Sequence, residues 1–221
     1  MENEMKKVLS IIMAVLTVMS LACPVWAMVE SKEEELLEIN GVYIPADTEC
    51  VREGEATVYY NFYDPVNDMN YAFFNSETCE HFAISGPQYE TVGTGARAVV
   101  RTAHNYSFNP CYTVNGKKNG VTFTLPAKTV HIEGNAQIIS ASTDEVVTDY
   151  YDDRGGYNYT IQVKEDVFLF PQSKTFSAVA GEYFDGRIAA DGGTYYLIIN
   201  PEDAMEDWHR IKGSGKLYYV E

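Results

Sequence analysis

From Val42 onward, apolar and polar residues alternate along much of the chain. The alternation is clearest at residues 58–63, 121–125 and 157–163, where every second residue is apolar or aromatic. A period of two predicts half-buried β-strands with one face toward the core and one toward water. Further candidate strands are at residues 96–103, 107–114, 137–142, 146–151, 167–170, 176–180 and 195–199.

Short turn signals separate these segments, among them Asn115-Gly116, Asn119-Gly120 and Gly192-Gly193. Many short strands between such turns, without alternating helices, are typical of an all-β protein. We therefore predict an antiparallel β-sandwich, of the jelly-roll or immunoglobulin-like Greek-key type.

Two short helices are predicted at the ends of this β region. Ser31 and Glu34 match a capping box, an apolar face follows it at Leu36, Leu37 and Ile39, and Asn40-Gly41 would end the helix. Near the other end, Asn200 suits an N-cap and Pro201 suits the first helical position. That second helix would bring Met205, Trp208 and Ile211 to one side and end at Gly213.

Residues 1–27 have the layout of a secretory signal peptide. Lys6 and Lys7 precede an apolar run over residues 8–22, and Val25-Trp26-Ala27 supplies a small-x-small cleavage pattern. The sequence thus predicts a secreted, bacterial protein. Ala22-Cys23 partly resembles a bacterial lipobox, so a lipid anchor at Cys23 is the alternative.

The expected mature chain has an N-terminal segment at 28–44 and a β region at 45–221. An alternative is two small β domains divided near residue 127. The last strands, from Gly181 to Val220, resemble the closing strands of small β-sandwich modules of secreted bacterial proteins. A Gly-Thr-Tyr-Tyr-Leu strand is too common to imply a function.

The chain is strongly acidic, with a formal net charge of −16. Such a charge repels polyphosphates and anionic surfaces, which argues against nucleic acid as a partner. No second hydrophobic segment follows the signal, so no membrane span is expected. Calcium and basic proteins remain compatible with the charge, and solubility alone also explains it.

Three cysteines remain after cleavage at Ala27, namely Cys50, Cys79 and Cys111. In an oxidising compartment two of them should pair. Strands at 58–63 and 71–74 joined by a turn would bring Cys50 and Cys79 opposite each other. We predict that disulfide, with Cys111 as a buried thiol.

An acidic stretch is a candidate calcium site. Its members are Asp149, Asp152 and Asp153, with Asp144 and Glu145 before them and Gly155-Gly156 after them. Several carboxylates in one loop can supply part of the six to eight oxygens that calcium needs. The stretch lacks the spacing of a dedicated calcium loop, and a solvated turn is the alternative. No other cofactor is indicated.

Signatures of catalysis are scarce. The four histidines lack zinc-type spacing, and there is no nucleophile elbow or phosphate loop. Cys79 and His81 could face the same side of a strand as a thiol and a base, but Cys79 is also the predicted disulfide partner. The carboxylates are too numerous for a catalytic pair to be picked out.

Tyrosine is abundant, with 17 residues, and four adjacent pairs occur. Tyr59 and Tyr63 are expected to share the more polar face of one strand with Asn61. Such a face is a plausible platform for sugar rings or for a protein partner, since tyrosine combines an apolar ring with a hydroxyl group. The alternative is that these tyrosines merely cover the outside of a sheet.

These observations favour a secreted, non-enzymatic β-sandwich protein that binds an extracellular glycan or protein. A secreted hydrolase with unidentified carboxylates and a structural or inhibitory surface protein are the alternatives.

Overall fold

The computed structural model describes residues 35–86, 88–89, 99–110, 113–147, 157–201 and 209–221. Within these ranges the regular secondary structure consists of β-strands, so the all-β prediction is confirmed. The strands are β1 (Leu36–Ile39), β2 (Val42–Pro45), β3 (Cys50–Glu53), β4 (Ala56–Asp64), β5 (Met69–Asn75), β6 (His81–Ser85), β7 (Gln88–Tyr89), β8 (Val100–Phe108), β9 (Val114–Asn115), β10 (Phe123–Leu125), β11 (Thr129–Ser140), β12 (Asn158–Glu165), β13 (Ser173–Val179), β14 (Tyr183–Ala189), β15 (Gly193–Pro201) and β16 (His209–Val220).

These strands form two antiparallel sheets and one separate hairpin. The large sheet has the order β14-β11-β16-β8-β6-β5-β4-β3, with β7 paired to β8. The small sheet has the order β10-β15-β12-β13, with β9 paired to β15. The hairpin consists of β1 and β2. Strands from both sides of residue 127 take part in both sheets, and Glu35–Glu221 forms one compact unit.

One hydrophobic core is shared by the two sheets. It contains Phe82, Phe108 and Ile132 of the large sheet together with Ile161 and Leu197 of the small sheet, all of them almost fully buried. The sheets also fit together at their edges. A Cβ atom at Gly186 in β14 would overlap the ring of Phe176 in β13, so this ring occupies the space above the glycine.

A second, smaller cluster lies on the other side of the large sheet. Val42 and Ile44 of β2 pack there against Phe62, Tyr71 and Phe74. The rings of Phe62 and Tyr71 are stacked, with their centroids 4.9 Å apart. The β1–β2 hairpin thus covers one end of this outer surface.

Strand β4 changes the side it buries at Asn61. Val58 belongs to the shared core and Tyr60 packs against it, whereas Phe62 belongs to the smaller cluster. Asn61 lies between them with φ 50°, in the left-handed region that asparagine tolerates better than most residues. In the neighbouring strand β5, the pairing with β6 is irregular between Tyr71 and Phe73.

Asp64, at the end of β4, is a fully buried carboxylate. Its Oδ1 accepts hydrogen bonds from the backbone amides of Val66 and Asn67, at 2.9 and 3.0 Å. Its Oδ2 accepts from the Tyr43 amide at 3.0 Å and from Asn67 Nδ2 at 2.7 Å. Asp64 therefore joins the β4–β5 turn to the β1–β2 hairpin.

The two predicted helices are not found in the described residues. Leu36–Ile39 is strand β1, which turns back into β2 through Asn40 and Gly41. Both turn residues have positive φ, 51° and 80°, as a type I′ hairpin requires. The Asn-Gly pair was therefore a hairpin signal and not a helix end. Residues 31–34 lie outside the described ranges.

At the second predicted helix, Asn200 and Pro201 end strand β15, while Ile211 and Gly213 lie in strand β16. Asn200 pairs with Thr160 and Ile211 pairs with Ile138, so sheet pairing overrides the local capping signals. Met205 and Trp208 lie outside the described residues.

The predicted strand at 167–170 is also wrong. These residues form the loop between β12 and β13, and their side chains point into solvent. In the part of the chain that the structure describes, no helix is long and apolar enough to cross a membrane.

Candidate functional site

A groove with several polar side chains in its lining is found on the side of the large sheet that faces away from the shared core. Its volume is about 480 Å³. We call it the outer groove. Its lining consists of Met69, Asn105, Tyr106, Ser107, Glu133, Gly134, Asn135, Tyr183, Ser214, Gly215 and Lys216.

Strand register brings the polar lining residues together. Tyr183 of β14 is paired with Asn135 of β11, which is paired with Ser214 of β16. In the next outward-facing row, Glu133 is paired with Lys216, which is paired with Asn105 of β8. Since side chains alternate along a strand, residues two apart in β11 and in β16 project from the same side of the sheet.

Two glycines form the floor of the outer groove between these rows. Gly134 is paired with Gly215, which is paired with Tyr106. The core side of both glycines is filled by the side chain of Tyr106, which is 1% exposed. Its hydroxyl group donates to the carbonyl oxygen of Glu133 at 3.3 Å.

Glu133 links the charged and aromatic groups of the groove. Tyr183, 64% exposed, donates its hydroxyl hydrogen to Glu133 Oε2 at 2.7 Å. Lys216 Nζ lies 3.5 Å from Glu133 Oε1. The hydrogen bond to Glu133, then burial and the nearby carboxylates, raises the pKa of Tyr183 to about 12. Tyr183 is therefore a neutral hydrogen-bonding group at physiological pH.

A second aromatic group adjoins the groove. Tyr218 of β16 is two residues beyond Lys216 and is paired with His131 of β11. The two rings are stacked, with centroids 4.9 Å apart, and Lys216 Nζ lies 5.4 Å from the Tyr218 centroid. Burial, followed by the charge of Glu133, raises the pKa of Tyr218. Aromatic rings therefore lie on two sides of the Glu133–Lys216 pair.

Of the predicted ligand-binding residues Tyr59, Asn61 and Tyr63, the two tyrosines do not form one face. Tyr59 is half-buried against the smaller cluster, with its ring centroid 6.5 Å from that of Phe62. The reversal at Asn61 turns Tyr63 to the side opposite Phe62. Tyr63 is 46% exposed and donates to Asp68 Oδ1 at 2.9 Å.

Tyr59 lines a different cavity of about 370 Å³. The other walls of this cavity come from the β1–β2 hairpin, with Leu36, Leu37 and Pro45, and from Cys50 of β3. Its lining has fewer charged and amide side chains than that of the outer groove.

The predicted disulfide between Cys50 and Cys79 is absent from the structure, where both residues are free thiols. Cys50 is in edge strand β3, and Cys79 is in the turn between β5 and β6. Because β4 lies between β3 and β5, Cys50 is two strands, or about 10 Å, from the end of β5, which Cys79 follows. A disulfide needs a Cα separation below about 7 Å. Cys111 lies outside the described residues.

The suggested pairing of the Cys79 thiol with His81 is not observed either. His81 Nδ1 lies 2.8 Å from the backbone carbonyl oxygen of Cys79. The Cys79 sulfur instead accepts a hydrogen bond from Asn40 Nδ2 at 3.1 Å. Burial lowers the pKa of His81.

The candidate calcium ligands Asp149, Asp152 and Asp153 lie outside the described residues. Among the residues that are described, no three His, Cys, Asp or Glu side chains are grouped so that they could hold a metal ion. Asp144, at the start of that stretch, is 3.5 Å from Lys212 Nζ.

The outer groove was missed at the level of sequence because its residues come from five separate regions of the chain. A local signal was present. Glu133 and Asn135, and likewise Ser214 and Lys216, follow the period of two within an alternating strand. The strand order is what places these polar residues side by side. Strand β11 is paired with β14 and β16, and β16 is paired with β8.

Comparison with known proteins gives no guide to the function of this groove. No protein family model matches the chain, and no curated protein or solved structure is significantly similar to it.

Proposed function

We propose that this chain is a secreted, non-enzymatic β-sandwich protein that binds an extracellular glycan in the outer groove. The observation that carries the proposal is Tyr183. Its ring is largely exposed while its hydroxyl group is fixed by Glu133, so the ring is held in place beside the outer groove. A ring that is already positioned loses little conformational entropy when a ligand stacks on it.

The chemistry of the lining suits a sugar. Pyranose rings have apolar faces and a rim of hydroxyl groups, and tyrosine can offer both stacking and hydrogen bonding. Asn105, Asn135, Ser107 and Ser214 add uncharged donors and acceptors around the Glu133–Lys216 pair. A volume of about 480 Å³ is also within the usual range for small-ligand sites.

The sandwich assignment rests on the shared core. Residues of the large and small sheets belong to one buried cluster, and Phe176 of one sheet covers Gly186 of the other. Two antiparallel sheets that bury a common core in this way have the arrangement of a β-sandwich. The outer groove then lies on the exposed side of the larger sheet.

A secreted hydrolase is the second candidate, and one observation favours it. Asp185 of β14 is paired directly with Glu133 of β11. Retaining glycosidases use two carboxyl groups about 5 Å apart. Binding is preferred because Glu133 is already engaged by Tyr183 and Lys216, and Asp185 is exposed outside the groove lining.

The test is retention of Met28–Glu221 on insoluble polysaccharides and bacterial cell-wall material. Tyr183→Ala should lower retention by about tenfold, since loss of one aromatic contact in a binding site commonly costs this much. Tyr63→Ala is the matched control, because Tyr63 is also exposed and also donates to a carboxylate. Equal losses in both variants, or no retention of the unmodified chain, would contradict the proposal.

Hydrolysis is measured in the same samples as newly formed reducing ends. Glycan binding without reducing-end formation supports a binding protein. Reducing ends that disappear in Glu133→Gln, while retention persists, would instead assign the groove to a hydrolase.

A further inference from the structure

The loop between β12 and β13 exposes an unusual run of apolar side chains. Phe168 is 96% exposed, Leu169 67% and Phe170 95%, and the preceding Val167 is 41% exposed. Single exposed apolar residues are ordinary in folded proteins, but contiguous ones commonly mark an interaction site. The loop joins two strands of the small sheet, whereas the outer groove lies on the large sheet, on the side that faces away from the shared core, so the loop is an independent feature.

The base of this loop is firmly held. The Glu165 amide donates to the Gln172 carbonyl oxygen at 2.8 Å, and the Gln172 amide donates to Glu165 Oε2 at 3.1 Å. The Asp166 amide donates to the Thr194 carbonyl oxygen at 2.8 Å. The exposed tip is therefore a short projection from a fixed hairpin.

The two carboxylates next to the tip contact other residues of the protein. Glu165 accepts from Gln172 within the hairpin, and Asp166 forms an ion pair with Lys117. From Val167 to Pro171 the chain carries no charge. The tip is thus an uncharged projection of aromatic and aliphatic side chains, and the carboxylates next to it are already bound to other residues.

We infer that residues 167–170 insert into the interface of an uncharged, zwitterionic phospholipid surface. Phenylalanine and leucine are typical of the apolar side of segments that enter the boundary between headgroups and acyl chains. The tip is convex, with two rings almost fully exposed, so a soft surface can surround it where a flat protein surface would reach only one side. A bilayer supplies such a surface.

The net charge of the chain indicates which kind of surface the tip can approach. With a formal net charge of −16, the protein is repelled by anionic lipids and by a second copy of itself. Zwitterionic headgroups carry no net charge and impose no such penalty. The tip also lacks the lysine and arginine residues with which proteins attach to anionic membranes.

The primary experiment places a fluorescent reporter in the tip of the full chain by Phe168→Trp. Subtracting the emission of the unmodified chain leaves the signal from position 168 alone, whatever the N-terminal segment does. With phosphatidylcholine vesicles we expect a blue shift of this difference signal and its quenching by brominated acyl chains. An unchanged difference signal would overturn the inference.

A second measurement uses co-sedimentation with the same vesicles. Phe168→Ser/Phe170→Ser should reduce the partition coefficient by at least about tenfold, since it removes two large apolar side chains from the interface. Val66→Ser is the control, because Val66 is a 57% exposed apolar residue in a different turn. Equal partition coefficients of the two variants would show that residues 167–170 do not insert into the lipid interface.

The remaining outcomes distinguish other partners. Replacing about a third of the lipid with phosphatidylserine should weaken binding at low salt. Stronger binding to these vesicles would overturn the assignment to zwitterionic lipid. Concentration-dependent dimers in sedimentation equilibrium, abolished by Phe168→Ser/Phe170→Ser, would assign the loop to a second copy of the chain instead.

Discussion

The side chain of Tyr106 occupies the space that a side chain at Gly215 would fill. A Cβ atom at Gly215 would overlap the Tyr106 ring and hydroxyl group and the carbonyl oxygen of Glu133. The neighbouring Gly134 has the same constraint, since its Cβ would lie 2.7 Å from the Tyr106 hydroxyl oxygen. One tyrosine side chain therefore covers the core side of two neighbouring glycines in the large sheet.

The first prediction follows from this contact. Gly215→Ala should lower the free energy of unfolding by about 1–3 kcal/mol, because the backbone on both sides must move to admit one methyl group. Gly86→Ala is the control, as the nearest atoms to its added Cβ would be at 3.7 Å. Urea denaturation measures both variants, and equal stability of the two would refute the packing argument.

The second prediction concerns the buried carboxylate of Asp64. Each of its oxygens accepts two hydrogen bonds, so an amide group in Asp64→Asn would direct its NH₂ at donors whichever way it turned. We expect a loss of about 2 kcal/mol or more in the free energy of unfolding.

Asp68→Asn is the matched control for Asp64→Asn. Asp68 is exposed, accepts from the Tyr63 hydroxyl group and has a positive φ that asparagine also tolerates. Its substitution should change stability by less than about 0.5 kcal/mol. If Asp64→Asn were as stable as Asp68→Asn in urea denaturation, the hydrogen bonds of the buried carboxylate would not stabilise the fold as we expect.

The third prediction is a loss of stability at alkaline pH. Burial, followed by the nearby charge of Asp64, raises the pKa of Tyr71 to about 12, from 10.0 in an unfolded chain. Between these values the unfolded state binds fewer protons than the folded state, so the free energy of unfolding falls as pH rises. The stabilisation is complete below pH 10 and is lost as pH passes through about 12.

Tyr71→Phe isolates this contribution. Between pH 10 and 12 the unmodified chain should lose about 2 kcal/mol more than the variant, since each pKa unit corresponds to about 1.4 kcal/mol. Denaturation curves at several pH values measure the difference. Parallel pH profiles of the two proteins would show that Tyr71 does not titrate as the structure indicates.

The fourth prediction is that Cys50 and Cys79 react as free thiols in the folded protein. Cys50 is exposed and Cys79 is half-buried, so N-ethylmaleimide should label Cys50 first. Mass spectrometry of peptides from the labelled protein, without reduction, identifies each modified residue. A peptide pair joined through Cys50 and Cys79 would contradict the observed strand order.

Sequence periodicity was sufficient to predict the fold class, but it did not predict from which side of the sheet each side chain projects. The alternating pattern at residues 58–63 correctly predicted a strand, yet the left-handed Asn61 separates Tyr59 from Tyr63. Simple alternation assumes extended backbone at every position. A single residue outside that conformation reverses all later side chains, and asparagine gives only a weak sign of it.

The strand order also differs from the one on which the predicted Cys50–Cys79 disulfide depended. The prediction assumed one hairpin, but residues 50–53 form an additional strand beyond β4. Likewise, the apolar run at 167–170 looked like a strand because hydrophobicity normally indicates burial. Its exposure depends on the pairing of β12 with β13, which ends at Lys164 and Ser173.

The position of β16 has a consequence for biosynthesis. This strand is the last in the described chain, yet it lies between β11 and β8 in the large sheet. Until residues 209–220 have left the ribosome, the β14–β11 pair has no neighbour to join it to the remainder of the sheet. The large sheet can therefore be completed only after β16 has been synthesised, so β11 is without its inner neighbour throughout the synthesis of β12 to β15.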